Sequence, residues 1–157
     1  MKNQNPVLKV TKVILNISFV VLIFILIGGV LTAIYNPDYI NNNSTAAIII
    51  ILVTGFLLVK ILLHLRQIVH SVAEQNPFSK ENVNRFRMIG YSVLALGVFQ
   101  AIVNFPNRQS GMDLIAVPAG SVGPEIFIFL VLGFLALLLA EIFAEALKIK
   151  NENDMTI

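Results

Sequence analysis

Two glutamates near the carboxyl end of the chain have the spacing most suggestive of chemistry. Glu141 and Glu145 are four residues apart, so on a helix they share one face and repel each other. We therefore expect cations to compensate them in an ion cluster, and Lys60, Arg85 and Arg87 are the candidates. The alternative is a proton-coupled carboxylate, as in carriers. The position near the end of an apolar segment favours the structural cluster.

The remaining polar groups predict neither a catalytic nor a metal site. Gln100 and Asn104 lie in an apolar segment, where hydrogen bonds between helices are a more frequent role than a transport path. His64 and His70 are six residues apart and fall on different helix faces, which disfavours a shared metal ion. The chain has no cysteine and no hydrolase, metalloprotease, P-loop or dinucleotide-binding motif. We expect no enzyme activity, no catalytic residues and no cofactor.

The composition indicates what positions these side chains. Of 157 residues, 57% are hydrophobic and 13% are charged, and the mean hydropathy is +0.83, which excludes an ordinary soluble domain. The apolar residues occur in long blocks, and about 20 of them suffice for a helix to cross a bilayer. Four spans are predicted, in a single domain covering residues 1–157, at about 13–35, 45–63, 88–105 and 125–147.

The predicted fold class is an all-α, integral membrane four-helix bundle. Ten of the eleven Lys and Arg residues lie in the amino-terminal tail, the second connection and the carboxyl-terminal tail, whereas Arg108 lies alone in the third connection. By the positive-inside rule, both termini and a hairpin of about 64–87 are cytoplasmic, and a loop of about 106–123 is outside. The predicted location is a membrane that the chain crosses four times, and the lipid bilayer is the first partner.

Small residues predict where the helices touch, because close backbone approach drives helix association in lipid. Two stripes of such residues recur at helical spacing in the third and fourth spans. They comprise Gly90, Gly97 and Ala101 in the third, and Gly133, Ala136 and Ala140 in the fourth. A shorter pair, Gly29 and Ala33, lies in the first span.

The cytoplasmic hairpin is predicted to be helical and amphipathic. The second helix should continue beyond Leu63 and end at Asn76 and Pro77, after which Ser79 caps the next helix. Glu81 in that first turn is favoured by the helix dipole. Such a basic amphipathic stretch is typical of segments that lie on anionic lipid.

Two cytoplasmic segments carry a family resemblance. They are Asn-Pro-Phe-Ser-Lys-Glu-Asn-Val-Asn-Arg-Phe-Arg-Met-Ile-Gly over residues 76–90, and the ending Ala-Glu-Ile-Phe-Ala-Glu-Ala-Leu-Lys-Ile-Lys-Asn-Glu-Asn-Asp-Met-Thr-Ile over 140–157. With four spans, they resemble the YoaS-like family of small bacterial membrane proteins, a domain of unknown function. Family members often carry Gly and Leu where this chain has Ala146 and Met155.

The resemblance implies a partner, because members are often encoded beside a small helix-turn-helix regulator of the Cro/C1 repressor type. The leading hypothesis is therefore a non-enzymatic membrane protein that binds or restrains such a regulator and contacts no nucleic acid itself. The tail after Lys150 is too polar and short to fold alone. Two outcomes are equally compatible with its sequence: it orders on binding a partner, or it packs back on the hairpin with Asp154 and Thr156 capping exposed backbone groups. The candidate docking residues are Asn76, Pro77, Phe78, Asn82, Arg85, Glu152, Asp154 and Thr156.

Two other functions remain open. One is a small ion-coupled carrier that uses Glu141, Glu145, Gln100 and Asn104. The other is a membrane-stress or lipid sensor, in which residues 112–120 of the outer loop touch the bilayer surface.

Overall fold

Four long helices make up most of the chain in the computed structural model, which describes residues 6–35, 44–107 and 113–155. They are α1 (Pro6–Tyr35), α2 (Ser44–Ala73), α3 (Lys80–Asn104) and α4 (Glu125–Asp154). All four are long and apolar enough to cross a membrane. Helices α1, α2 and α4 have 30 residues each, or about 45 Å, against about 30 Å of bilayer hydrocarbon. Each therefore has several turns beyond the length needed to span.

The contacts divide the chain into two compact units, Met1–Ala73 and Glu74–Ile157. The first unit contains α1 and α2, which pack on each other as an antiparallel pair. Glycine permits close approach within it, since a Cβ at Gly55 would lie 2.5 Å from Leu26 Cδ2 and one at Gly29 would lie 3.5 Å from Ile51 Cδ1. Ala33 is fully buried. The spacing of small residues predicted contacts at Gly29 and Ala33 but not at Gly55.

The second unit contains α3 and α4, whose backbones meet at two glycines. A Cβ on Gly90 would lie 3.0 Å from the carbonyl oxygen of Gly133, and one on Gly133 would lie 3.3 Å from that of Gly90. A Cβ on Gly97 would lie 2.5 Å from Phe129 Cβ. Side chains at these positions would push the helices apart, so the close packing depends on glycine.

The alanines of the two stripes occupy different environments. Ala136 and Ala140 are buried on α4. Ala101, further along α3, is half-buried and lines a small cavity beside the connection to α4.

The connection between α3 and α4 contains a β-hairpin, whereas only a loop was expected there. After a short 3₁₀ turn at Phe105–Asn107, strand β1 (Ile115–Val117) pairs antiparallel with β2 (Gly120–Val122). Ile115 faces Val122 in the register, and two residues form the turn. The Ser121 hydroxyl donates a 3.0 Å hydrogen bond to Asp113 Oδ1. The alternation signal was too short to detect, since each strand has three residues.

The helix ends follow the local sequence. Helix α2 continues past Leu63 to Ala73, as its amphipathic pattern predicted, and Gln75 then adopts a left-handed φ of 63°. Ser79 is confirmed as the N-cap of α3. Pro124 is the N-cap of α4. Residues 151–154 continue α4 and do not form a separate tail.

Candidate functional site

The turn before α3 is organised around the buried side chain of Asn82. Asn82 is 0% exposed. Its Nδ2 donates to the backbone carbonyls of Pro77 at 2.8 Å and Asn76 at 3.4 Å, while its Oδ1 accepts a 2.7 Å hydrogen bond from Arg85 Nη1. Its backbone N–H donates to the Ser79 hydroxyl at 3.2 Å. One side chain therefore fixes both the turn and the first turn of the helix.

An aromatic cluster holds this turn against α4. The ring centroids of Phe78 and Phe143 are 5.5 Å apart, and those of Phe86 and Phe143 are 4.9 Å apart, with both pairs tilted. These distances lie within the favourable range for aromatic pairs, about 4.5–7 Å. Phe78 is 40% exposed, so part of its ring is accessible. The two segments that carry the family resemblance are thus in direct contact.

Charged pairs flank the aromatic cluster. Arg87 donates to Glu141 Oε1 from Nη2 at 2.9 Å and from Nε at 3.3 Å. Glu145 is 3.6 Å from Lys148 Nζ, one turn along the same helix. Both glutamates are largely exposed. Each is therefore paired at the surface, where such pairs contribute little to stability.

The surroundings of Glu81 shift the pKa of its carboxyl. Hydrogen bonds from the backbone N–H of Glu81 and from the Ser79 side chain lower the pKa of this carboxyl below its ordinary value of 4.5, with the Arg85 and Lys80 charges acting in the same direction. The residue is fully exposed in the first turn of α3. It therefore stays ionised at neutral pH and supports the helix start.

The predicted ion cluster is distributed over separate contacts. Arg87 contacts Glu141, and Arg85 donates to Asn82. Lys60 lies on α2, in the first unit.

The predicted docking residues do not all reach the surface. Asn82 was expected to touch a partner, and that expectation is wrong because its side chain is fully enclosed. Asn76 and Glu152 are exposed, and Pro77 is half-buried. Asp154 is the last residue of α4, although its side chain is outside the described part, and Thr156 lies outside the described residues altogether.

Two contributors to this site were missed from sequence, namely Phe86 and Phe143. One sequence feature could have identified them. Phe78, Phe86 and Phe143 all occur within the two segments that carry the resemblance.

The polar residues suggested for a carrier lie at two ends of the α3–α4 hairpin. Gln100 and Asn104 line a cavity of about 10 Å³ with Ser121 of the β-hairpin and Glu125 of α4. Arg87, which holds Glu141, is about 20 Å away along α3 at 1.5 Å per residue. The glutamates and the amides therefore do not converge on one site.

The structure defines a helical protein with four segments able to cross a membrane and an ordered turn at one end of the α3–α4 hairpin. A family profile described as "Protein of unknown function (DUF2975)" matches residues 13–157, and the chain belongs to that family. No curated protein and no solved structure matches the chain.

Proposed function

We propose that this chain is a multi-pass protein of the bacterial inner membrane, a YoaS-like member of its family, with both termini in the cytoplasm. The four apolar helices support insertion. Within each hairpin most of the cations lie towards one end. Lys9 and Lys12 begin α1 while Arg66 lies near the end of α2, and Lys80, Arg85 and Arg87 begin α3 while Lys148 and Lys150 lie near the end of α4. The positive-inside rule makes these ends cytoplasmic.

The orientation is testable because the chain contains no cysteine. Single cysteines at Lys150→Cys and Ala119→Cys would occupy exposed positions at opposite ends of the α3–α4 hairpin. In intact cells, a thiol reagent that cannot cross the inner membrane should label the Ala119→Cys variant, and the Lys150→Cys variant only after lysis. The reverse pattern would refute the orientation.

The function we propose is non-enzymatic, namely to hold a small helix-turn-helix DNA-binding protein at the cytoplasmic face. The single observation behind it is the joining of residues 76–90 to the last turns of α4 by Phe78, Phe86 and Phe143. A surface built from two chain segments and held by a buried hydrogen-bond network is preorganised, which lowers the cost of binding.

The accessible groups around this turn suit a protein partner. Phe78 offers a partly exposed aromatic ring, the type of side chain enriched at interfaces. Exposed polar groups occur in the same two segments, including Asn76, Lys80, Asn84 and Glu152. An apolar centre with a polar rim is the usual anatomy of a non-obligate interface.

The test is co-purification of a small helix-turn-helix regulator, of the type that the resemblance implies, using the full chain in detergent. Truncation after Lys150 and the variant Phe78→Ala should each reduce recovery. The matched control is Val117→Ala in the β-hairpin, which truncates an exposed apolar side chain at the other end of the unit. This variant should leave the recovery of the regulator unchanged. Equal recovery from every variant, or none from the full chain, would exclude this surface.

The sensor alternative has one observation in its favour. Leu114, Ile115 and Val117 are exposed on and beside the β-hairpin, with Ile115 and Val117 on the same face of β1. These side chains could enter a bilayer surface. Replacing all three by Ser should abolish a stress response if the hairpin senses the membrane, and an unchanged response would remove this alternative.

A further inference from the structure

A small polar cavity lies at the β-hairpin end of the α3–α4 unit. Its volume is about 10 Å³, which is room for a group about the size of one water molecule. Of the residues that the structure describes, the polar ones that line it are Gln100, Asn104, Ser121 and Glu125. They belong to three elements, α3, β2 and α4. The cavity therefore brings oxygen acceptors from all three elements to one small group.

These oxygen atoms suit a cationic donor. The acceptors are the carboxylate of Glu125, two side-chain amide carbonyls and a hydroxyl. Gln100 and Glu125 each have another interaction, but a carboxylate has about four lone-pair sites and an amide oxygen has two, so both can accept further hydrogen bonds. A primary ammonium is similar in size to a water molecule and has three N–H donors. It can therefore donate to several of these oxygens while its charge is paired with Glu125.

The β-hairpin that covers this cavity is held in place by its own contacts. Ser121 is buried, and its hydroxyl donates a 3.0 Å hydrogen bond to Asp113 Oδ1. An added Cβ at Gly120 would lie 2.7 Å from Phe105 Cδ1, so the hairpin packs directly on the turn that follows α3. The cavity wall is therefore formed before a ligand arrives, and binding does not require the hairpin to be ordered.

An apolar groove adjoins the cavity. Its volume is about 270 Å³, and it is lined by Ala101, Ile102, Phe105 and Val122. Ala101 and Val122 line both the groove and the cavity. Around the α3 axis, Ala101 lies about 60° from Asn104 on one side and about 40° from Phe105 on the other, so the two spaces occupy neighbouring faces. Ile102 is 67% exposed, which leaves the groove open to its surroundings.

We propose that the cavity and the groove together bind a primary amine that carries a short apolar substituent. The ammonium enters the cavity and pairs with Glu125, and the apolar substituent lies along the groove. The site is at the opposite end of the α3–α4 unit from the contact between Phe78 and Phe143, so it goes beyond regulator binding and does not depend on it. A bare cation would leave the groove uncovered, and an alcohol would bring no charge to Glu125. An apolar amine matches both parts of the site.

Hexylamine is the probe that tests the charge contact. Unfolding temperatures of the full-length chain in a non-ionic detergent, measured against amine concentration, give its affinity. Glu125→Gln should weaken hexylamine binding by about tenfold, because a charge-assisted hydrogen bond is lost. The matched control is Glu145→Gln, which removes the same charge from the exposed surface near the other end of α4 and should leave the affinity unchanged.

A second pair of variants tests the groove. Ile102→Ala should weaken hexylamine binding by about threefold, because less apolar surface is covered. Methylamine has no chain to lie in the groove, so its binding should be the same for Ile102→Ala and the wild type. The control is Val98→Ala, which truncates another exposed apolar side chain one helical turn earlier on α3, outside both spaces. This control should bind hexylamine as the wild type does.

Three ligands compared on the wild type decide the proposal even if Glu125→Gln does not fold. Hexylamine should stabilise the chain at concentrations at which neither hexanol nor methylamine does, because each of these lacks one of the two matching features. Equal stabilisation by hexanol would show that the charge is not recognised, and this result overturns the proposal. Equal stabilisation by methylamine or by Na⁺ would assign the cavity to a small cation alone and also overturns it.

Discussion

The side-chain amide of Asn82 donates a 2.8 Å hydrogen bond to the backbone carbonyl of Pro77, inside a turn from which solvent is excluded. Asn82→Ala removes this donor and also the acceptor used by Arg85. The free energy of unfolding should fall by about 1–3 kcal/mol, because buried polar groups lose their partners. Thermal or denaturant unfolding in detergent measures this loss of stability. Asn84→Ala, an exposed change two residues away, is the control, and equal effects of the two variants would contradict the role of Asn82.

Acid should weaken the start of α3 through Glu81. Since its pKa is lowered in the folded state, ionised Glu81 stabilises the fold above the ordinary value of 4.5, and this contribution is lost as the pH falls through the lower folded pKa. Glu81→Gln should therefore be less stable than the wild type at neutral pH, with the difference shrinking below about pH 4.5. Unfolding measured against pH tests this. A difference that persists unchanged into acid would exclude it.

The close approach of α3 and α4 should not tolerate a large side chain at Gly97. Gly97→Leu places its Cβ in the space of Phe129 and should cost about 1–3 kcal/mol through overpacking. Gly28→Leu is a matched control, because no atom lies within 4 Å of an added Cβ there. The two variants are compared by their unfolding temperatures in detergent. If both variants resemble the wild type, Gly97 does not lie at a helix contact.

The Arg87–Glu141 ion pair should contribute little to stability. A double-mutant cycle with Arg87→Gln and Glu141→Gln should give a coupling of about 0.2–1 kcal/mol, because both side chains are partly hydrated. The coupling should decrease in high salt. A coupling several times larger, or one independent of salt, would show that the pair is dehydrated in the membrane-embedded protein.

The β-hairpin should depend on glycine at position 120. Gly120 has a φ of +156°, and an added Cβ would overlap the carbonyl of Phe105. Gly120→Ala should destabilise the hairpin by about 1–3 kcal/mol. Hydrogen exchange of the Leu114 amide, which donates to the Val122 carbonyl, reports on it. Ala119→Ser, in the same turn, should leave that protection intact.

Several local features followed from neighbouring residues alone. The Ser79 cap was predicted because a hydroxyl before a helix accepts a hydrogen bond from the helix's first turn, and it accepts one from Asn82. The extension of α2 beyond Leu63 followed from a continued helical period. The β-hairpin was not found, since three-residue strands carry too little alternation and depend on the packing of Gly120 against Phe105.

The sequence by itself determined which segments are apolar helices and where the cations concentrate, because hydropathy and helical period are properties of consecutive residues. Only the tertiary structure decided that Asn82 is buried, that Phe78 and Phe86 meet Phe143, and that Lys12 and Arg66 line one cavity. Burial and proximity depend on which faces of distant segments pack together. Periodicity identifies a face but does not identify the residues that cover it.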